Sequence, residues 1–490
     1  MKDRVAKSVF WIVWSKGGVQ LISLMSTLFV ARLLSPSDYG LMALAGVWIF
    51  IMGLISEVGL GAAIIQFHDL DEEGLNLCFW ITLSMAIVSY AILFLAAPAI
   101  ASWFSTPALV DVLRVVSFGI VLTAIRVVPE SILRKHLAYD KLSQAEIVSA
   151  LGTIPVVLTL AMLNAGVWAL VAAALVQQVV LSAVIFGQLR WFPGFALGFS
   201  RFKELASFSL TTLGTRLCWA VYQQTDNLVI GKVLGEAAVG SYSIGKQLAT
   251  LPVEKFAGIV TRIATPVMAE IQRDRALMAR YFLRSVRLIA CISVPASAGI
   301  ILMAETFVVL ALGEKWAAAV PIIKVLSIYS IFCSLSVLVF PVLTACYRVQ
   351  ATFHYTLGQM LIMPVAVWVG ASWHGTVGAA IAWTVFYPLA LTWLIRVTLK
   401  EIGLEWAEFF AQFRAALVAT TVMVLTVGGV RFGLLQTGAG PTLVLAASMT
   451  SGVLAYGLGL MWSSNLIAAE IAEVAGWLIR LRSSPREKHA

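Results

Sequence analysis

Charge is scarce in this sequence. Asp, Glu, Lys and Arg make up 12% of its 490 residues, about half the share of an ordinary soluble domain. With 60% of residues hydrophobic, a soluble globular fold is excluded and a polytopic membrane protein is indicated. Long polar segments are missing too. Stretches such as LNAG at 163–166 and WHGT at 373–376 separate apolar runs and leave no room for an extracytoplasmic domain. Cysteine is sparse: Cys78, Cys218, Cys291, Cys333 and Cys346 lie in or beside apolar runs and form no C-x-x-C pair. That excludes a disulfide framework and a thiolate metal site. No G-x-x-x-x-G-K-[ST] loop, H-E-x-x-H helix or catalytic Ser/His/Asp pattern occurs, so neither ATP hydrolysis nor a metal or cofactor is expected. His68, His136, His354, His374 and His489 are scattered.

What the chain has is apolar runs. A membrane span needs about 20 mostly apolar residues, and fourteen runs qualify: 9–33, 40–65, 77–100, 109–133, 145–163, 167–188, 207–230, 239–266, 285–311, 319–345, 353–371, 376–396, 413–432 and 441–462. The expected fold class is therefore all-α integral membrane, with about 14 transmembrane helices. Loop cations orient it. With both termini in the cytoplasm, the outer segments hold only Arg32, Lys232, Lys315 and Arg431. The inner ones hold the other loop cations, from Lys2, Arg4 and Lys7 to Arg480, Arg482, Arg486 and Lys488. This positive-inside bias accounts for the net charge of +9 without invoking nucleic acid. Residues 465–490 read as an amphipathic, basic cytoplasmic tail lying on the membrane.

Several cations fall inside the runs. Lys16, Arg126, Arg216, Lys246 and Lys255 sit deep, and Arg262 lies in the same run as the last two. Each charge at a helix centre costs about 2.5–3.5 kcal/mol on insertion scales. Such groups must pair with acids or face a wet cavity. Lys16 with Glu57, and Arg216 with Glu254, are the pairings that depth along the runs suggests. Intramembrane acids (Glu57, Glu130, Asp226, Glu254) are fewer than cations, so the interior is expected to be net positive and to suit an anionic substrate.

The sequence also repeats. ARLLSPSDYGLMALA from residue 31 aligns without gaps on GKVLGEAAVGSYSIG from residue 231. Arg32 meets Lys232, Leu34 meets Leu234 and Gly40 meets Gly240; the same offset places Lys16 on Arg216. Six runs separate the two copies, so they share orientation as a parallel repeat. The expected organisation is an N-lobe at 1–200, a C-lobe at 201–400, two further helices at 401–464 and the tail at 465–490. Two six-helix lobes facing each other would enclose a central cavity, with alternating access by rocking.

The segments ARLLSPSDYGLMALA, VPESILRKHLAYDKL (128–142) and QTDNLVIGKVLGEAAVGSYSIGKQLATLP (224–252) resemble the Wzx-type polysaccharide exporters of the multidrug/oligosaccharidyl-lipid/polysaccharide exporter superfamily. The resemblance is strongest over residues 1–290. It implies a flippase that moves undecaprenyl-diphosphate-linked oligosaccharide from the cytoplasmic to the periplasmic leaflet of a bacterial inner membrane, for O-antigen, capsule or exopolysaccharide assembly. It also implies an ion gradient (H+ or Na+) and possible contact with the polymerisation machinery. A diphosphate needs counter-charge where the dielectric is low. Lys16 and Arg216 are the expected diphosphate ligands, with Arg126, Lys246 and Arg262 in support, and Glu57 and Asp226 are the expected ion-coupling acids. A monomer suffices, because the repeat supplies the symmetry. Other readings are a peptidoglycan-precursor flippase, a small-molecule exporter and a membrane glycosyltransferase. A net-positive interior opposes a cation exporter, and no outer carboxylate cluster supports the enzyme.

Overall fold

The computed structural model describes residues 22–463 apart from 24, 68, 69, 190, 197 and 199–201, with backbone alone at 202–208, 210–212, 215, 252–263, 265 and 266. Among the described residues every regular element is a helix. Residues 25–33 are helical and lead through Ser35 into α1 (Pro36–Glu57). There follow α2 (Leu60–Gln66), α3 (Glu72–Phe104), α4 (Leu109–Val116), α5 (Phe118–Lys135), α6 (Tyr139–Met162) and α7 (Val167–Leu189). The chain continues with α8 (Phe202–Leu234), α9 (Glu236–Glu270), α10 (Arg275–Ala311), a 3-10 turn (Glu314–Trp316), α11 (Ala319–Ala345) and α12 (Val349–Ile402). It ends with α13 (Trp406–Ala411), α14 (Arg414–Gln436) and α15 (Pro441–Ser463).

Counting α4 with α5 and α13 with α14 as one each, 10 of the described segments are long and apolar enough to cross a membrane. α8 and α9 have the length, at 33 and 35 residues. They carry charges well inside their length, including Arg216, Asp226, Lys246 and Lys255. The expected runs 207–230 and 239–266 lie within them. Helix starts follow local chemistry. Ser35 and Asp38 form a reciprocal capping box, with Asp38 N–H donating to Ser35 Oγ at 3.2 Å and Ser35 N–H to Asp38 Oδ2 at 2.8 Å. Pro36 follows at the first helical position, where its missing N–H costs nothing. Asp71 and Asp274 cap α3 and α10 through Gly74 N–H and Leu277 N–H, both at 2.9 Å.

One run, 40–65, is not the single rod its hydropathy suggests, and one continuous helical stretch, α12, holds two runs. The run 40–65 breaks after Glu57, where Val58 (φ 51°) and Gly59 (φ 75°) are both left-handed. A β-branched residue in that region is strained by roughly 1–3 kcal/mol, so packing dictates the break. Conversely, α12 spans 54 residues but turns back on itself at His374 (φ −131°) and Gly375 (φ 61°). Eight residues of straight helix would separate Gly370 from Gly378 by about 12 Å. Instead, a methyl on either would overlap the other's carbonyl oxygen. The runs 353–371 and 376–396 are thus the two arms of a helical hairpin.

The chain divides into two compact units. One contains the described residues up to Ile244 together with Met360–Ala379; the other contains Gly245–Gln359 and Ala380 onward. In the first, α1 packs on α3 and α8, and α6 on α7. Leu60, Ala63, Ile64, Cys78, Phe79, Val128 and Ile132 form a core joining α2, α3 and α5. The segment after α7 folds back as a strap onto α3. Asn76, buried, accepts from Gly194 N–H at 2.9 Å and donates to Ala196 C=O at 3.2 Å. Trp80 Nε1–H donates to Gly194 C=O at 2.9 Å, and its ring stacks on Phe195.

In the second unit α10 is the central element. Ser297 and Ser330 share a hydroxyl bond of 3.0 Å between α10 and α11. α14 and α15 dock on α10 through Ala290, Val294 and Ala416, with Tyr456 Oη donating to Cys291 C=O at 2.5 Å.

Truncating Asn76→Ala leaves a backbone donor and acceptor of the strap unmatched, at a cost of about 1–3 kcal/mol. The expected outcome is a lowered Tm in detergent and faster proteolysis within 191–198. Unchanged proteolysis would show that the strap does not depend on Asn76.

Candidate functional site

The helix break after Glu57 places a carboxylate at the end of α1, beside α8. There Arg216 Nη1 lies 3.2 Å from Glu57 Oε1 and 3.3 Å from Oε2. The protein leaves the pair partly uncovered, with side-chain exposures of 39% for Arg216 and 26% for Glu57. α2 and α5 crowd against it: a methyl on Gly61 would stand 2.6 Å from Glu57 Oε1 and 3.2 Å from Ser131 Oγ. Deeper along the same seam, Phe50 meets Trp219 edge-on at 6.1 Å. α1 and α8 are therefore joined by charge at one end and by aromatic packing further in.

α5 contributes a second charge group. Glu130 holds Arg126 at 3.1 Å on one side and Arg134 at 2.6 Å on the other, each one helical turn away. Lys135 Nζ donates to Phe67 C=O at the end of α2, at 3.0 Å. Arg126 is the most enclosed, with a side chain only 15% exposed. Glu130 satisfies its Nη1, yet its Nε–H is buried without a hydrogen-bond partner among the described residues. Buried donors are rarely left unmatched.

Asp226 lies in the C-terminal third of α8 and is fully buried. Its Oδ1 accepts Asn227 N–H at 2.9 Å, and the Tyr242 side chain of α9 faces it. Asn227 continues the polar cluster, donating to Gln224 Oε1 at 3.1 Å and accepting from Ser243 Oγ at 3.2 Å. In the other unit, Lys246 Nζ sits 5.1 Å above the Trp383 ring. That ring meets Tyr329 edge-on at 5.5 Å, and Tyr329 meets Tyr387 at 5.0 Å.

Of the residues expected from sequence, the structure joins Glu57 to Arg216 directly. The sequence pairing had given Glu57 to Lys16 and Arg216 to Glu254; Lys16 and the Glu254 side chain lie outside the described residues. Arg126 sits in its own group on α5, and Asp226 in the α8–α9 cluster. Lys246 belongs to the other unit. Arg262 lies on α9, but its side chain is outside the described residues. Glu130 was an intramembrane acid without an assigned partner. The spacing Arg126, Glu130, Arg134 is the signal that identifies it, since residues four apart share a helix face.

Residues 29–321 match the family described as "Polysaccharide biosynthesis protein". The chain belongs to that family. It is 27% identical over 419 residues to the teichuronic acid biosynthesis protein TuaB of Bacillus subtilis, covering 82% of this chain and 84% of that one. It is also 27% identical over 326 residues to the succinoglycan biosynthesis transport protein ExoT of Rhizobium meliloti, covering 66% of each. Its fold is that of the lipid II flippase MurJ in an inward closed conformation, with a TM-score of 0.70 at 12% identity over 90% of this chain and 97% of that one. The chain is a multi-pass helical membrane protein of the polysaccharide biosynthesis family.

The Glu57–Arg216 pair bridges helices far apart in sequence. A double-mutant cycle with Glu57→Gln and Arg216→Gln should give a coupling of about 1 kcal/mol, within the range for residues in contact. Thermal unfolding in detergent reads it; strictly additive losses would mean the contact contributes nothing to stability.

Proposed function

We propose that the protein is a flippase for lipid-linked oligosaccharide. It moves undecaprenyl-diphosphate-linked repeat units from the cytoplasmic to the periplasmic leaflet of a bacterial inner membrane, for exopolysaccharide, capsule or O-antigen assembly. No bond of the cargo is made or broken, so the protein is a transporter and not an enzyme. The observation that carries this reading is Arg126, an enclosed guanidinium whose Nε–H is unmatched. A planar guanidinium with a spare donor fits a phosphate oxygen. Arg216 sits at an open pair whose carboxylate an incoming diphosphate can replace as counter-ion. The family, a relative named as a transport protein and a fold shared with a lipid flippase support the same reading.

In this scheme Lys16 and Arg216 bind the diphosphate, with Arg126, Lys246 and Arg262 supporting it from the same or the opposite lobe. The lobes, 1–200 and 201–400, rock to alternate access. Glu57 and Asp226 couple transport to H+ or Na+: each is a carboxylate whose charge must be balanced inside the membrane, by a cation or a proton. Both termini face the cytoplasm, the working unit is a monomer, and the polymerisation machinery receives the product.

Deleting the gene should make complete undecaprenyl-diphosphate glycan accumulate out of reach of a probe confined to the periplasm. Normal levels with normal sidedness would reject the flippase reading, and shortened glycan would point to an enzyme. In a complemented strain, Arg126→Ala forfeits a charge-assisted hydrogen bond of about 1.5–3 kcal/mol, or roughly 10- to 100-fold in flipping rate. Arg126→Lys should recover part of it. Wild-type export by Arg126→Ala would remove that residue from the diphosphate site.

A further inference from the structure

The repeat at offset 200 has a physical counterpart in the first unit. α1 and α9 cross near their first turns, and their contacts are reciprocal. A methyl on Gly40 would overlap the carbonyl oxygen of Glu236 and stand 2.5 Å from its carbon. One on Gly240 would overlap the carbonyl oxygen of Pro36 and stand 2.9 Å from Gly40 N. Positions 36 and 40 become 236 and 240 when shifted by 200, so each copy of the motif presents the same two positions to the other. Residue i touching j+200 while j touches i+200 is the signature of a two-fold, self-complementary contact. The contact is backbone on backbone, which only glycine permits.

Neighbouring contacts fasten the same end. Lys232, the counterpart of Arg32, donates to Trp103 C=O at 2.6 Å and lies 5.5 Å over the Trp103 ring. Thr106 Oγ1 donates to Glu236 Oε2 at 3.3 Å. Gly231 packs against Leu44 and Phe104. Two helix ends, 210 rather than 200 positions apart, share a left-handed cap. Leu137 (φ 55°) follows α5, with Ala138 N–H bonded to Leu133 C=O. Tyr347 (φ 59°) follows α11, with Arg348 N–H bonded to Leu343 C=O.

We infer that Gly40 and Gly240 form a matched pair of closure points. They let the outer ends of the two sequence halves approach to backbone contact, and a side chain at either one holds those ends apart. That this contact parts and re-forms during transport rests on the flippase reading; the closure itself does not. Because the contact is two-fold, substitution at either glycine has the same consequence, although the two residues lie 200 apart in the chain. Gly46, further along α1, has nothing within 4 Å of where its methyl would stand and is the internal control.

The test measures closure separately from export. Spin labels at Ser37→Cys and Ala237→Cys, in a background freed of the five native cysteines, report the distance across the crossing by double electron–electron resonance. Gly40→Ala and Gly240→Ala should each add a longer-distance population, to a similar fraction, while Gly46→Ala leaves the distribution unchanged. Distributions identical to that of Gly46→Ala would overturn the closure role, whatever happens to export. Lengthened distances with undiminished export would uphold the closure points and reject their parting during transport. Should the alanine variants fail to accumulate, the Ser37→Cys/Ala237→Cys pair in the glycine background decides. A bifunctional reagent of about 10 Å should link the two positions readily and stop export until the link is cleaved. No link overturns the proposal; a link with full export upholds the closure and rejects its parting during transport.

Discussion

A cation inside hydrocarbon must be answered, because leaving it unanswered costs several kcal/mol per charge. Three kinds of answer recur in this protein, for cations within the spans and for those at their ends. Carboxylates hold Arg216 and Arg126. Aromatic faces lie under Lys246, Lys232 and Arg114. Carbonyl oxygens, from the backbone or an amide, take Lys232, Arg431 and Arg287. Each answer ties a cation on one helix to a neighbouring element or an adjacent turn. Charges that would be a liability facing lipid thereby help to set which helices adjoin. The arginines of α5 and α8 are struts first, and the same chemistry suits them to an anionic headgroup.

The helices were legible because a run of about 20 apolar residues is a strong one-dimensional signal. From 40–65 onward every expected run is helical. The break after Glu57 was not legible. Val58 is a poor residue for a left-handed conformation, and only the packing of α2 against α3 and α5 accounts for it there. Nor was the partner of Glu57: depth along a run says which charges share a level, not which helices adjoin. The Arg126–Glu130–Arg134 group could have been read from its spacing. The Asn76 clamp could not, since its partners are backbone atoms about 120 residues away.

The alignment at offset 200 joins the two levels. In sequence it is a short match around a glycine. In the structure the same glycines are where α1 and α9 touch, and the touching residues exchange under the same shift. Neither glycine carries a side chain that a reader of chemistry would single out. Their importance lies in what they leave out, and a lone Gly in an apolar run gives no sign of that.

The turn at His374 and Gly375 bears on how the protein is made. With Gly370 and Gly378 in backbone contact, the two arms of α12 share a surface from the tip of the turn. The first arm finds its packing partner only when the second has emerged from the ribosome. The pair is then best handed to the bilayer as one hairpin, its second arm entering against a finished first. A tag placed in that turn would disturb biogenesis before it disturbed transport, which makes 374–375 a poor site for a topology reporter.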